Sequence, residues 1–141
     1  MNQPTPTPVI KKSEPKILDS GKRQSFSTGA VRDTQDDKGD LSLLPYYSIL
    51  ELAKHFQRGA RKYDKNNFRK GIPLSRYFDS CQRHLAKYAM GWEDEDHLIS
   101  ACWNLVALIE TKKRIEMGQL PQELNDFPYV QMEEKEETSA K

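Results

Sequence analysis

Cysteine is scarce in this chain, with only Cys81 and Cys102 among 141 residues. Two thiols exclude a scaffold built from disulfides, and their separation matches no zinc-ligand pattern. Long hydrophobic runs are missing too. The longest, LISACWNLVALI at 98–109, holds Ser100 and Asn104 within it and falls short of the roughly 20 apolar residues that span a bilayer. No segment alternates apolar and polar residues with the two-residue period of a strand, which points away from a sheet. The polar, proline-rich start has no signal-peptide pattern. A reduced, cytoplasmic protein without membrane contact is the expectation.

Net charge is nearly absent, at +1, yet its distribution is uneven. Ten Lys or Arg stand between Lys54 and Lys87 against two acids, Asp64 and Asp79, so this segment carries +8 and the remainder −7. The densest part is GARKYDKNNFRKG (59–71), with five cations, two adjacent amides and two aromatic rings. A basic centre between acidic flanks suits an anionic partner.

The ends are poor in large apolar groups. Residues 1–27 carry four prolines and cannot bury enough surface to offset their ordering entropy, so they read as a disordered arm. Residues 28–44 form an irregular lead-in, and residues 121–141 an acidic, flexible tail. Between them, 28–120 is the expected folded domain, with three helices. The first spans about 45–63, with Pro45 in its first turn and an apolar stripe through Tyr46, Ile49, Leu52, Ala53, Phe56, Ala60 and Tyr63. The second runs from Leu74 to Met90, between Pro73 and Gly91. The third starts in EDED (93–96), where acids favour a helix N-terminus, and ends near Met117. It is apolar nearly all round from Leu98 to Ile109, which predicts a central position. The fold class is therefore all-α, a small helical bundle of three main helices. Its thin core predicts completion by homo-oligomerisation.

Several polar groups are more than such a bundle needs. Asp94, His97 and Asn104 share one face of the third helix. A buried amide there must find partners or cost of order 1–3 kcal/mol. On the second helix, Asp79, Arg83 and Lys87 recur every four residues as a polar face, with Asp79 and Arg83 spaced as an intrahelical ion pair. His84 points away from them, toward the side of Tyr77, Cys81 and Tyr88; a lone histidine on such a face is more often a core residue than a ligand, but on antiparallel helices it could face His97. Trp92 and Trp103 read as packing residues, with Trp92 also placed to stack on a base.

The order of these pieces carries a resemblance. AVRDTQDDKGDLSLLP, then GARKYDKNNFRKG, then SRYFDSCQRHLAKYAMGWEDED and HLISACWNLVALIE, over about 28–110, is similar to a phage family named for the N-terminal domain of a dATP/dGTP diphosphohydrolase. The set is fairly specific, whereas each piece alone is weak. In general character the family resembles the all-α nucleotide pyrophosphohydrolases of the MazG type. The resemblance implies binding of a purine deoxynucleotide and its cleavage to the monophosphate and pyrophosphate, with Mg²⁺ held by carboxylates of two helices. Those enzymes use Glu-x-x-Glu and Glu-x-x-Asp. Here Glu93 and Asp96 give one Glu-x-x-Asp, while Glu-x-x-Glu occurs only at Glu133/Glu136 and Glu134/Glu137 in the tail.

Taken with the charge pattern, the resemblance gives each residue type an expected role. Lys62, Lys65, Arg69, Lys70 and Arg83 would neutralise a triphosphate. Asn66 and Asn67 suit the edge of a purine, with Asn104 beside them, and Tyr63 or Phe68 would stack on the base. Asp79, Asp94 and Asp96, with Glu51 in reserve, are the expected Mg²⁺ ligands, and His84 or His97 the general base. Two other classes remain open from sequence. One is a non-catalytic module that binds or sequesters nucleotides. The other is a nucleic-acid-binding protein that uses the 58–70 loop.

Overall fold

The computed structural model describes residues 17–128, and the chain divides after Leu44 into two units. In the first, β1 (Arg23–Ser25) and β2 (Val31–Asp33) form an antiparallel hairpin with Arg23 opposite Asp33 and Ser25 opposite Val31. The turn closes where the Phe26 amide donates to the Ala30 carbonyl at 2.9 Å, with Gly29 at φ 85°. At the open end the Arg23 guanidinium reaches Asp19 at 2.6 Å and Asp33 at 2.7 Å. The hairpin corrects the strand-free expectation and occupies part of the segments read as arm and lead-in. It buries neither face, so no apolar alternation was there to mark it. Residues 1–16 and 129–141, most of the expected arm and most of the expected tail, lie outside the described residues.

The second unit is the expected small helical bundle: α1 (Tyr46–Lys62), α2 (Leu74–Ala89) and α3 (His97–Glu116). Punctuation set by single residues explains the boundaries. Pro45 and Pro73 precede α1 and α2. Gly91 (φ 75°) and Gly118 (φ 72°) follow α2 and α3 in the left-handed conformation that glycine adopts without steric cost. The EDED run ends in a cap and does not start the helix as expected. Asp96 sits outside the first turn and its side chain accepts from the Ile99 amide at 3.1 Å, meeting one donor that the helix cannot satisfy itself.

The core lies between α2 and α3. Leu74, Tyr77 and Cys81 meet a face of α3 that carries Ala101, Ala107 and Ile115, together with buried His97, Ser100, Asn104 and Thr111. That face is small and polar, whereas Leu98, Leu105 and Ile109 are 50%, 45% and 66% exposed. The expectation of an apolar helix surrounded on all sides is corrected: α3 turns its small side inward. Helix α1 is attached more lightly. It has no fully buried residue; Leu52, Phe56 and Ala60 of its stripe are half-buried and Tyr46, Ile49, Ala53 and Tyr63 are exposed.

Residues 120–127, the first of which the sequence places at the domain's end, return to the bundle. Pro73 gives α2 no side-chain cap. Asp126 takes over that role, accepting from the Ser75 amide at 2.9 Å and from the Ser75 hydroxyl. The Phe127 ring meets Phe78 at 5.4 Å. This return also requires Gly71. A Cβ there would lie 2.8 Å from Leu124 and 3.4 Å from Leu120, on a backbone with φ 107°.

Candidate functional site

Beside α3 lies a cleft of about 470 Å³. Helix α1 lines it with His55, Phe56, Gly59 and Ala60, and the following loop with Tyr63, Asp64, Lys65, Asn67, Phe68 and Ile72. Helix α2 adds Arg76, Tyr77, Ser80 and Arg83, and α3 adds Trp103 and Asn104. Trp103 is the hub of its aromatic floor. Its ring lies 5.7 Å from Phe56, 6.1 Å from Tyr77, 6.2 Å from Phe68 and 6.2 Å from His55. The Asn104 amide donates to the Ser100 carbonyl one turn back at 2.8 Å, which fixes the side chain at the cleft wall. The rings meet at steep angles of 52–77°, so the floor is apolar and faceted, and Arg76, Arg83 and Lys65 give it a cationic rim, a lining suited to an aromatic base that bears phosphate.

Of the expected substrate residues, Tyr63, Lys65, Asn67, Arg83 and Asn104 therefore share one cleft. Asn66 and Arg69 do not join them. They line an adjoining groove of about 1030 Å³ between α1 and α3, which shares Phe56, Ala60, Lys65 and Phe68 with the cleft. Lys70 pairs with Asp64 at 3.1 Å, and Lys62 lies over the Tyr63 ring at 5.0 Å. The physical origin is simple: Lys62 ends α1 while Arg69 and Lys70 lie in the one-turn 3-10 helix Asn67–Lys70, and side chains that leave a short turn point in several directions, so charge counted along the sequence divides among surfaces. Trp92 lies outside the cleft lining, under Lys87 at 5.4 Å.

Sequence reasoning missed Arg76, Trp103 as a floor, and His55. Helical spacing carried the signal, since Arg76, Ser80 and Arg83 recur at four and three residues. The half-buried His55 has a pKa lowered by burial and then by Arg58, while Asp96 and Glu95 act in the opposite sense. The same electrostatic reach, which includes His84, links the cleft to a second cluster.

That cluster forms where α2 and α3 converge. The two imidazoles face each other, with His84 Nδ1 at 2.9 Å from His97 Nδ1. His97 Nε2 lies 2.6 Å from Asp94 Oδ1, and its side chain is 0% exposed. A carboxylate only accepts, so His97 donates from Nε2. In the neutral pair this leaves the His97 Nδ1 lone pair facing a His84 Nδ1–H. Burial lowers the His84 pKa; Glu95 opposes this, and His97, Lys87 and Arg83 reinforce it. The Asp94 carboxyl is held below its usual range, chiefly by the His97 hydrogen bond. Glu95 Oε2 stands 3.9 Å from His84 Nδ1 and 3.8 Å from His97 Nδ1. His97 thus has both ring nitrogens engaged inside the protein, and of the two histidines expected as general base it is His84 that keeps solvent contact.

The four carboxylates expected to hold magnesium do not come together. Glu51 pairs with Lys54 at 2.8 Å, Asp79 with Arg83, Asp94 with His97, and Asp96 caps α3. Among the described residues, the group whose donor atoms converge is His84, Glu95 and His97. Magnesium asks for an octahedron of oxygens, and a pair of imidazoles with one carboxylate does not fit it.

A family model described as dATP/dGTP diphosphohydrolase, N-terminal, matches residues 28–119. The chain belongs to this family. The dATP/dGTP diphosphohydrolase N-terminal match contains every residue that lines the cleft and all three members of the histidine–glutamate group. No curated protein and no solved structure matches the chain. Among the described residues no helix is long and apolar enough to cross a membrane.

Proposed function

We propose that this domain binds a purine deoxynucleoside triphosphate in the Trp103 cleft and hydrolyses it to the deoxynucleoside monophosphate and pyrophosphate. The observation that carries the reading is the family match over the residues that build a ring-floored, cation-rimmed cleft. Water attacks the α-phosphorus, the bond to the bridging oxygen of the β-phosphate breaks, and pyrophosphate leaves. Tyr63, Phe68 and Trp103 offer flat surfaces for the base. Asn67 and Asn104 offer amides for its edge, and Arg83, Arg76 and Lys65 offer charge for the phosphates. His55 lines the cleft with its basic form favoured by burial, and it is the group suited to take a proton from the attacking water.

Incubation with each of the four deoxynucleoside triphosphates and a panel of divalent ions, with monophosphate and pyrophosphate assayed together, tests this. The reading expects equal amounts of the two products, released faster from dATP and dGTP than from the pyrimidine nucleotides. Diphosphate with orthophosphate, or no product at all, contradicts it. A second reading, a non-catalytic nucleotide-binding module, is favoured by the dispersal of Glu51, Asp79, Asp94 and Asp96. It expects thermal stabilisation by purine deoxynucleotides without turnover.

A further inference from the structure

The three donor atoms of His84, Glu95 and His97 form a triangle with sides of 2.9, 3.8 and 3.9 Å. A point equidistant from its corners lies about 2.1 Å from each, and zinc binds imidazole nitrogen and carboxylate oxygen at about 2.0–2.2 Å. We infer that this corner is a binding site for a borderline divalent transition ion of the zinc and cobalt type, held by His84 Nδ1, His97 Nδ1 and Glu95 Oε2. The inference does not depend on the nucleotide reading above.

Three observations support it. The first is ligand softness: two imidazoles and one carboxylate suit zinc, cobalt or nickel, and not magnesium or calcium. The second is support behind the ligands. Asp94 accepts from His97 Nε2 at 2.6 Å, the outer carboxylate that fixes the tautomer of a metal-bound histidine and leaves its other nitrogen as a lone pair. The third is access. His97 is fully buried and held by Asp94, His84 is 19% exposed, and the Glu95 side chain is 60% exposed. One ligand is thus pre-set and one stands on the solvent side. When an ion enters, His84 changes tautomer, its proton passing from Nδ1 to Nε2 by exchange with solvent, so that both rings stay neutral and both Nδ1 lone pairs face the ion. Three protein ligands leave a coordination position open for water or another oxygen donor.

The test uses the full chain, stripped with a chelator and titrated separately with Zn²⁺, Co²⁺ and Mg²⁺ without nucleotide. Calorimetry and metal analysis after dialysis give stoichiometry and affinity, and the visible spectrum of the Co²⁺ form gives the donor set. The expected result is one Zn²⁺ or Co²⁺ per chain, d–d bands of a nitrogen–oxygen site, and no comparable Mg²⁺ binding. Asp94→Asn is expected to weaken Zn²⁺ about 10–100-fold, and Glu95→Ala and His84→Ala more than that. Because His97 is buried and its substitution endangers the fold, the exposed Glu95 carries the decision, with circular dichroism to confirm the helices. Failure of the wild-type chain to retain stoichiometric Zn²⁺ or Co²⁺ overturns the inference. So does retention that Glu95→Ala and His84→Ala leave unchanged. Metal bound without hydrolysis removes only the enzymatic reading; hydrolysis without this metal removes only the site.

Discussion

The basic segment 59–71 and the corner where α2 meets α3 make opposite demands on a reader of the sequence. The first is conspicuous, with five cations in thirteen residues, yet in the fold those cations separate. Lys65 lines the cleft, Arg69 lines only the adjoining groove, and Lys70 and Lys62 stand behind the lining, against Asp64 and the Tyr63 ring. The second is two histidines thirteen positions apart and one glutamate in an acidic run, and there three donors converge on one point. Charge density along a chain measures how strongly a region attracts anions at a distance. A site is made by convergence, which regular helices supply because their side-chain directions are fixed.

Substitutions that disturb the supports of each region sharpen the contrast. The largest expected effect belongs to Trp103→Ala, which removes the ring shared by His55, Phe56, Phe68 and Tyr77. Urea denaturation is expected to show a loss of about 3 kcal/mol. A loss under about 1 kcal/mol would mean that the cleft floor is not held by this cluster. Gly71→Ala comes next, at about 2 kcal/mol, because a Cβ would meet Leu124 at 2.8 Å on a backbone with φ 107°. Compensation by Leu124→Ala in a double-mutant cycle would separate the clash from the backbone strain.

A smaller effect, about 1 kcal/mol, is expected for Asp126→Ala, which leaves the first turn of α2 without its cap. The sign of its pH dependence follows from the Asp126 pKa. Burial alone would raise it, but the Ser75 hydrogen bonds prevail and the value is lowered in the folded state. Its contribution is therefore present above the unfolded aspartate value of about 3.9 and lost as pH falls through the folded one. The gap between wild type and Asp126→Ala should be complete at neutral pH and close in acid; a gap that widens in acid would contradict the cap. Least of all, Glu51→Gln breaks an exposed pair with Lys54. It is expected to change stability by under about 0.5 kcal/mol and to leave divalent-ion binding unaltered, as calorimetry would show.

Much of the fold was legible because local chemistry determined it. Prolines and glycines punctuated the helices, and helical geometry on antiparallel neighbours allowed His84 and His97 to face each other, as they do. The strand pair was not legible, because neither face of Arg23–Ser25 or Val31–Asp33 is buried and so no pattern had to be written there. The inward side of α3 also escaped, since Leu98, Leu105 and Ile109 outweigh Ser100, Asn104 and Thr111 in any count of apolar residues, and closeness to α2 favoured the small side. In the candidate site, Arg83, Tyr63 and Asn104 could be named from type and spacing. His55 and Trp103 could not, because their part depends on α1 lying against α3. Glu95 passed unnoticed as one acid among four.

The claim that convergence outweighs local charge is tested most directly by dGTP affinity, measured by calorimetry on wild type, Arg83→Ala and the double variant Lys62→Ala/Lys70→Ala. Arg83 lines the cleft while Lys62 and Lys70 do not. A charge-assisted hydrogen bond to phosphate contributes about 1.5–3 kcal/mol. The account therefore expects roughly 10–100-fold weaker binding for Arg83→Ala and less than about threefold for the double variant. Equal losses in the two proteins, or a larger loss from the lysines, would contradict it.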